Sequence, residues 1–265
     1  MLWLTIFFLV PMGFLGYQSL ESGLFPHFHF TWAFSNFSSA LSGYHTQLVR
    51  SFVYAGIATV ACLVLAYPLV YWIAFRSGPW RNLFLLIIVA PFFVTYLVRT
   101  LAWLNILADE GPVVRILRDI HVLGPDGRLL ATTFAVVAGI TYNFFPFMAL
   151  PIYVSLEQID VRLLEAAKDL YSSPTQAFLR VTLPLSAPGI VAGTLLTFIP
   201  AAGDFINAAL LGTPNQAMIG NVIQAKFLES LDYPTAASLS FILMGTILIA
   251  LLVYARIVGP EKLTG

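Results

Sequence analysis

The chain of 265 residues is 59% hydrophobic and only 10% charged, and Lys and Arg balance Asp and Glu to a net charge of zero. Typical soluble domains carry about 25% charged residues, so the composition excludes ordinary soluble architecture and points to a single all-α membrane domain over residues 1–265. Zero net charge gives no basis for nucleic-acid binding, and the lone Cys62, inside an apolar run, leaves no disulfide framework or thiolate metal cluster.

A membrane-crossing helix needs about 20 mostly apolar residues. Six segments meet that length, predicting about six transmembrane helices at 2–20, 52–75, 83–107, 131–155, 189–211 and 236–255. The first has the apolar run of a signal peptide but no basic residue ahead of it and no small-residue cleavage site. It is predicted as a first span, slightly short, whose missing basic flank suits a true start upstream. Residues 21–47, with His27, His29, Trp32 and several phenylalanines, are expected as an aromatic stretch at the membrane–water boundary. Two histidines without a third ligand nearby do not make a metal site.

Lysine and arginine set the orientation. Arg76 and Arg81 follow the second span, Arg162, Lys168 and Arg180 follow the fourth, and Arg256 and Lys262 lie in the tail. The other side carries Arg115, Arg118, Arg128 and Lys226, with Arg50 near a span end. The positive-inside bias therefore predicts both termini in the cytoplasm. Residues 108–130 form an outer loop, with Gly111-Pro112 and Gly124-Pro125-Asp126-Gly127 as turn signals. Residues 215–233 form another, where Ile219, Val222, Ile223 and Phe227 share a stripe that predicts a short interfacial helix. Either loop can receive a partner from outside.

Polar groups at membrane depth are the candidate pathway residues. Asp204 lies fifteen residues after Gly189, about 22 Å along a straight helix at 1.5 Å per residue. An aspartate at the bilayer centre costs about 2.5–3.5 kcal/mol on insertion scales, so it is normally paired or faces water. Pro200 and Gly203 predict a kink or unwinding beside it, and interrupted helices at this depth mark binding sites in transporters. Asn207 lies one turn on and shares its face. Arg99, sixteen residues after Leu83, counts to about 24 Å and the same level. Asp204 either passes a cation or forms a buried ion pair with Arg99 that fixes helix packing, or does both if the pair opens. Tyr142 and Asn143 near mid-depth can line a cavity or bond neighbouring helices. Trp103 and Tyr96 either line the path or pack. Gly189-xxx-Gly193 permits close helix approach.

Residues 157–190 hold seven charged side chains between two apolar runs, so this segment lies outside the hydrocarbon. Asp160 caps a predicted helix from Val161 to about Leu170. Ser173-Pro174-Thr175-Gln176 starts a second with a capping box and a proline at the first helical position. Pro184 and Pro188 end it.

Glu165-Ala166-Ala167, followed by Leu183-Pro184 and a spanning helix, resembles the EAA loop of the permease subunits of binding-protein-dependent ABC importers. The resemblance implies a type I importer-like fold in which residues 157–188 form a cytoplasmic coupling helix docked on an ATPase. Glu165, Ala166, Ala167, Asp169, Leu170, Tyr171, Leu183 and Pro184 are the implied docking residues. Tyr171 stands where the family usually has glycine, a departure that leaves the elbow's shape open. PFFVTYLVRTLAWLNIL (91–107) and TFIPAAGDFINAALLGTP (197–214) look like the third and fifth spans of the spermidine/putrescine permease branch. Branches for sulfate, iron, thiamine or phosphonate share the general plan.

The chain has no Gly-xxxx-Gly-Lys-Ser/Thr phosphate cradle and no catalytic constellation, so it is expected as a transport subunit rather than an enzyme. The resemblance implies ATP and Mg on a separate ATPase, a second permease subunit making a heterodimer, a periplasmic solute-binding protein, and a bacterial inner-membrane location. A polyamine is the implied cargo. A stand-alone channel or ion-coupled carrier using Asp204 would need no elbow.

Overall fold

Backbone groups inside a bilayer have no water to bond, so apolar runs of this length must become helices. The computed structural model describes residues 3, 5–160, 162–163 and 173–258. A π-helical turn, Thr5–Leu9, leads into α1, Val10–Ser19. Together they extend about 22 Å at 1.5 Å per residue, short of a hydrocarbon core of about 30 Å.

The aromatic stretch at 21–47 forms a hairpin and the start of a helix. Strands β1, Glu21–Leu24, and β2, His27–Phe30, pair antiparallel with Glu21 opposite Phe30 and Leu24 opposite His27. The alternation His27, Phe28, His29, Phe30 is the period of two that a strand requires. Phe25 and Phe28 pack on Tyr233, with ring centroids 6.4 and 5.7 Å away. Asn36 Nδ2 donates to Ser19 O at 3.0 Å and Glu21 O at 2.7 Å, tying the hairpin base to the next helix.

That helix, α2, runs Ser35–Arg76 over 42 residues, with a break in helical geometry at Tyr44 (φ −127°, ψ 17°). It begins well ahead of the expected start at 52, because the Ser-rich, polar 35–47 segment is helical without being apolar. The expected single span at 83–107 is also divided. Helix α3, Arg81–Val89, passes into a 3-10 turn, Ala90–Phe93, then extended backbone at Val94 and Thr95, then α4, Tyr96–Leu107. The stretches Gly78–Phe93 and Tyr96–Asp119 are bent by 98°. Pro91 cannot donate to the α3 ladder, and β-branched Val94 and Thr95 favour the extended form.

Helix α5, Pro112–Asp119, lies in the loop predicted at 108–130. Helix α6, Thr133–Glu157, is capped by the Thr132 side chain, which accepts from Ala135 N at 3.2 Å, and continues through Pro146 and Pro151. The elbow's second helix is present: α7, Pro174–Ala177, opens on the Ser173–Gln176 capping box. It continues as a π-helical turn, Phe178–Thr182, and α8, Leu183–Leu185. Helix α9, Ala187–Ala202, leaves it at 61°. Then follow α10, Ile206–Leu211, a 3-10 turn at Pro214–Gln216, α11, Ile219–Leu228, and α12, Tyr233–Val258.

Among the described residues three helices are long and apolar enough to cross a membrane, or five if each bent pair is one span. Helices α2, α6 and α9 form the centre, with α12 packed on α1 and α2. Ala55, Ala58, Cys62 and Ala66 are fully buried on α2, and small side chains of this kind let helix backbones approach closely. At Gly189 the helix backbones meet directly, since an added Cβ would sit 2.4 Å from Pro151 O of α6.

Candidate functional site

The site is built where α9 stops. Gly203, Asp204 and Phe205 leave the helix, and α10 restarts at Ile206. The Asp204 carboxylate turns back onto the restarting chain: Oδ1 accepts from Ile206 N at 3.0 Å and Asn207 N at 3.5 Å. Oδ2 accepts from Asn207 Nδ2 at 2.7 Å. The break predicted beside the carboxylate thus supplies the donors that let it be buried, at 6% exposure.

Asn207 is the hub. Its Nδ2 also donates to Tyr96 Oη at 2.6 Å, and its Oδ1 accepts from Asn143 Nδ2 at 3.2 Å and Thr100 Oγ1 at 3.4 Å. Asn143 Nδ2 donates to Thr100 Oγ1 at 3.2 Å, and Thr100 also reaches Tyr96 O at 3.1 Å. Helices α4, α6 and α10 are therefore joined through one buried polar cluster. Gly139 of α6 makes room for it, since a Cβ there would lie 2.6 Å from Asn207 Oδ1. Asn143 Oδ1 is buried with no hydrogen-bond partner.

Arg99 lies beside this cluster but does not join it. Arg99 as a whole is 8% exposed, with Cζ 5.1 Å from the Phe92 ring centroid and 5.6 Å from that of Tyr96. Its Nε and Nη1 are buried without a partner. The ion pair with Asp204, weighed from depth along straight helices, is absent among the described residues. The two residues lie about one cluster, Arg99 on the ring of the same Tyr96 whose hydroxyl meets Asn207, without an N···O contact within ion-pair distance. Trp103 and Tyr142 contact each other, with centroids 5.5 Å apart, and neither bonds into the cluster.

Sequence reasoning passed over Thr100 and Gly139. Thr100 carried a signal, a hydroxyl one turn after Tyr96 in an apolar helix, but its side-chain partners, Asn143 and Asn207, lie on other helices. The role of Gly139 depends entirely on what faces it.

At the opposite end of the bundle, Arg81 pairs with Glu157 and donates to the Tyr153 hydroxyl. Phe178 of the elbow sits edge-on to Tyr67 (5.6 Å, 88°) and Tyr71 (5.8 Å, 80°) of α2. The Tyr67 hydroxyl bonds Ser186 Oγ at 2.8 Å, where α9 begins. Leu183 packs into the same buried cluster, and Pro184 lies in α8 beside it. Glu165, Ala166, Ala167, Asp169, Leu170 and Tyr171 lie outside the described residues. A groove of about 920 Å³ runs between α6 and α9 here, lined by Pro151, Ser155, Gln158, Pro188, Ala192 and Leu196 among others, and does not reach Asp204.

Beyond the Asp204 cluster, Arg50 Nη1 donates to Ala217 O at 2.8 Å and Ser51 Oγ accepts from Ile219 N at 2.8 Å, fixing α11 on α2. Lys226 Nζ meets Asp232 Oδ2 at 3.0 Å. Partial burial alone would raise the Asp232 pKa, but donation from Lys226 and Thr235 holds it below the usual carboxylate value. The same bond to Asp232 raises that of Lys226. No group of three or more His, Cys, Asp or Glu that could hold a metal occurs among the described residues.

The family described as binding-protein-dependent transport system inner membrane component matches residues 39–258. The spermidine/putrescine transport system permease protein PotB of Haemophilus influenzae is 37% identical over 254 residues, covering 95% of this chain and 88% of that protein. PotB of Escherichia coli is 36% identical over 256 residues, covering 96% and 93%. A chain in the crystal structure of a bacterial alginate ABC transporter, in complex with an alginate pentasaccharide-bound periplasmic protein, superposes with a TM-score of 0.78. That match covers 100% of this chain and 92% of the other at 17% identity, a likeness of fold.

Proposed function

The chain belongs to the family of binding-protein-dependent transport system inner membrane components, and from that membership we propose that it is the membrane-spanning permease subunit of an ATP-driven importer of polyamines such as spermidine and putrescine. It is a transport subunit rather than an enzyme. It works with a second permease subunit, ATPase subunits that carry ATP and Mg, and a periplasmic binding protein that delivers the cargo. It resides in a bacterial inner membrane with both termini in the cytoplasm.

The observation that carries the reading is Asp204. The carboxylate is buried in a broken helix, anchored by neutral donors only, with no basic side chain within ion-pair distance among the described residues. Neutral donors position a carboxylate while leaving its charge to attract an ammonium group, whose pairing offsets the cost of burial. Asn207, Asn143 and Thr100 hold its geometry, and Tyr96, Trp103, Tyr142 and Arg99 surround the route.

Transport proceeds by alternating access. ATP binding draws the ATPases together, and the elbow bearing Glu165, Ala166, Ala167, Asp169, Leu170 and Tyr171 moves with them. Leu183, Pro184 and the Phe178 contact carry that motion into α2 and α9. In the reconstituted complex, Asp204→Asn is expected to slow spermidine uptake at least about tenfold, the scale of a lost charge-assisted contact, with assembly unchanged. Wild-type uptake by that variant refutes the cation role. Glu165→Lys with Ala167→Trp is expected to release the ATPase during purification; retention with ATP-coupled uptake refutes the docking assignment.

A further inference from the structure

Four exposed rings form a continuous row at the hairpin end of the bundle. Tyr17 of α1 stacks on Phe30 of β2 (4.8 Å, 10°), Phe30 meets Trp32 edge-on (4.9 Å, 70°), and Trp32 lies over Phe34 (6.2 Å, 23°). These residues are between 36% and 64% exposed, and no charged side chain belongs to the row. Trp32 keeps its place at φ 53°, in the left-handed region that a bulky residue enters only at a cost. Strain that persists in a fold marks a position held by something other than local preference.

The level of this row in the bilayer follows from α12. Its apolar run extends from Leu239 to Ala255, and Arg256 ends it at one membrane face. Ser238 stands eighteen residues before Arg256, about 27 Å along the helix at 1.5 Å per residue. That is close to a hydrocarbon thickness of about 30 Å. Ser238 Oγ donates to Ser19 O at 3.3 Å, and Asn36 Nδ2 donates to the same carbonyl at 3.0 Å. The end of α1, the start of α2 and the root of the hairpin are thus pinned where the opposite edge of the hydrocarbon falls. Tyr17 is two residues before Ser19 and Phe34 two before Asn36, so the row runs along that edge. Amphipathic rings are favoured at this depth.

We propose that Tyr17, Phe30, Trp32 and Phe34 form a lipid-facing collar seated in the headgroup–acyl boundary on the membrane face opposite Arg256. The collar anchors the end of α1 and the start of α2 to the bilayer. It also completes the first span. The π-helical turn and α1 fall several Å short of the hydrocarbon thickness, and a short span needs flanking groups that hold it at the interface. The rings beyond Tyr17 supply them. The inference needs only that α12 spans the membrane and is independent of the cargo.

The test is Trp32 fluorescence in the complete permease–ATPase complex, in bilayers whose phospholipids carry bromine at a chosen acyl depth. Subtracting the Trp32→Phe signal from that of the wild type isolates this indole from Trp3, Trp72, Trp80 and Trp103 and from those of partner chains. Bromines on the acyl carbons nearest the headgroup are expected to remove most of the difference signal. Bromines toward the chain ends remove less, and aqueous iodide quenches it weakly. Strong quenching by iodide with no effect of brominated lipid places the row in water and overturns the proposal. Protection from both overturns it as well, by showing that another protein subunit covers the row. The greatest loss with chain-end bromines overturns the boundary placement. Should Trp32→Phe fail to assemble, Phe34→Trp adds an indole to the same row, and its gain in signal is read under the same expectations. Anchoring is tested with Trp32→Gly, since glycine takes φ 53° without strain. Backbone hydrogen exchange over 21–34 in the bilayer is expected to quicken severalfold, and an unchanged rate overturns the anchoring role.

Discussion

Replacing Asn207 with alanine removes the hub that joins α4, α6 and α10. The side chain makes one bond to a carboxylate, at 2.7 Å to Asp204 Oδ2, and two ordinary neutral bonds, at 2.6 Å to Tyr96 Oη and 3.2 Å from Asn143 Nδ2. A fourth, from Thr100 at 3.4 Å, is weak. Hydrogen bonds to charged groups contribute about 1.5–3 kcal/mol, and neutral interhelical bonds in membrane proteins average about 0.6 kcal/mol. The expected loss is therefore about 3 kcal/mol, with more than half of it from the carboxylate. Thr197→Val is the control: Thr197 Oγ1 is buried without a partner, so its removal is expected to leave stability unchanged or to raise it by about 1 kcal/mol. Equilibrium unfolding of the purified complex in mixed micelles measures both. A loss below about 1 kcal/mol for Asn207→Ala would show that the cluster does not hold the helices together, and the account of why Asp204 tolerates burial would fail with it.

Phe178→Ala removes the edge-on contacts with Tyr67 and Tyr71, each contributing about 0.5–1.5 kcal/mol beyond area burial. The ATPase is expected to co-purify as before while uptake per ATP falls severalfold; an unchanged ratio measured in proteoliposomes would separate Phe178 from force transmission. The Lys226–Asp232 pair gives a pH dependence. Because the Asp232 pKa is depressed, its stabilisation is present above the unfolded carboxylate pKa of about 3.9 and is lost as pH falls through the lower folded value. Because the Lys226 pKa is raised, its share is complete below the ordinary ammonium value and disappears as pH rises through the raised one. Asp232→Asn is expected to cost less than about 1 kcal/mol for this partly exposed pair and to flatten the acid limb of thermal stability; an unaltered limb contradicts the assignment.

The membrane class, the helical stretches and the region of the elbow follow from local properties. Length and apolarity mark a helix that must satisfy its own backbone, so α6 and α12 were legible from composition alone. The Ser173 capping box was legible for the same reason: a cap is a contact between residues three apart. Two other local features carry weaker signals. The helical 35–47 segment carries polar residues that no hydropathy window credits, and the hairpin's alternation was overshadowed by its aromatic content.

Asp204 and Asn207 were visible as polar residues one turn apart in an apolar run, and Pro200 and Gly203 announced the break between α9 and α10. Their relation to Arg99 was not visible. A depth count at about 1.5 Å per residue can put two residues at one level, but it does not say whether their side chains meet, and the chain bends by 98° between the stretches on either side of Val94 and Thr95. Which donor meets which acceptor depends on how three helices approach, and that is decided by packing at positions such as Gly139 and Gly189. Charge and periodicity thus identify the polar groups the membrane must accommodate, while only the assembled helices determine that Asp204 is held by an amide and that Arg99 is left without a partner.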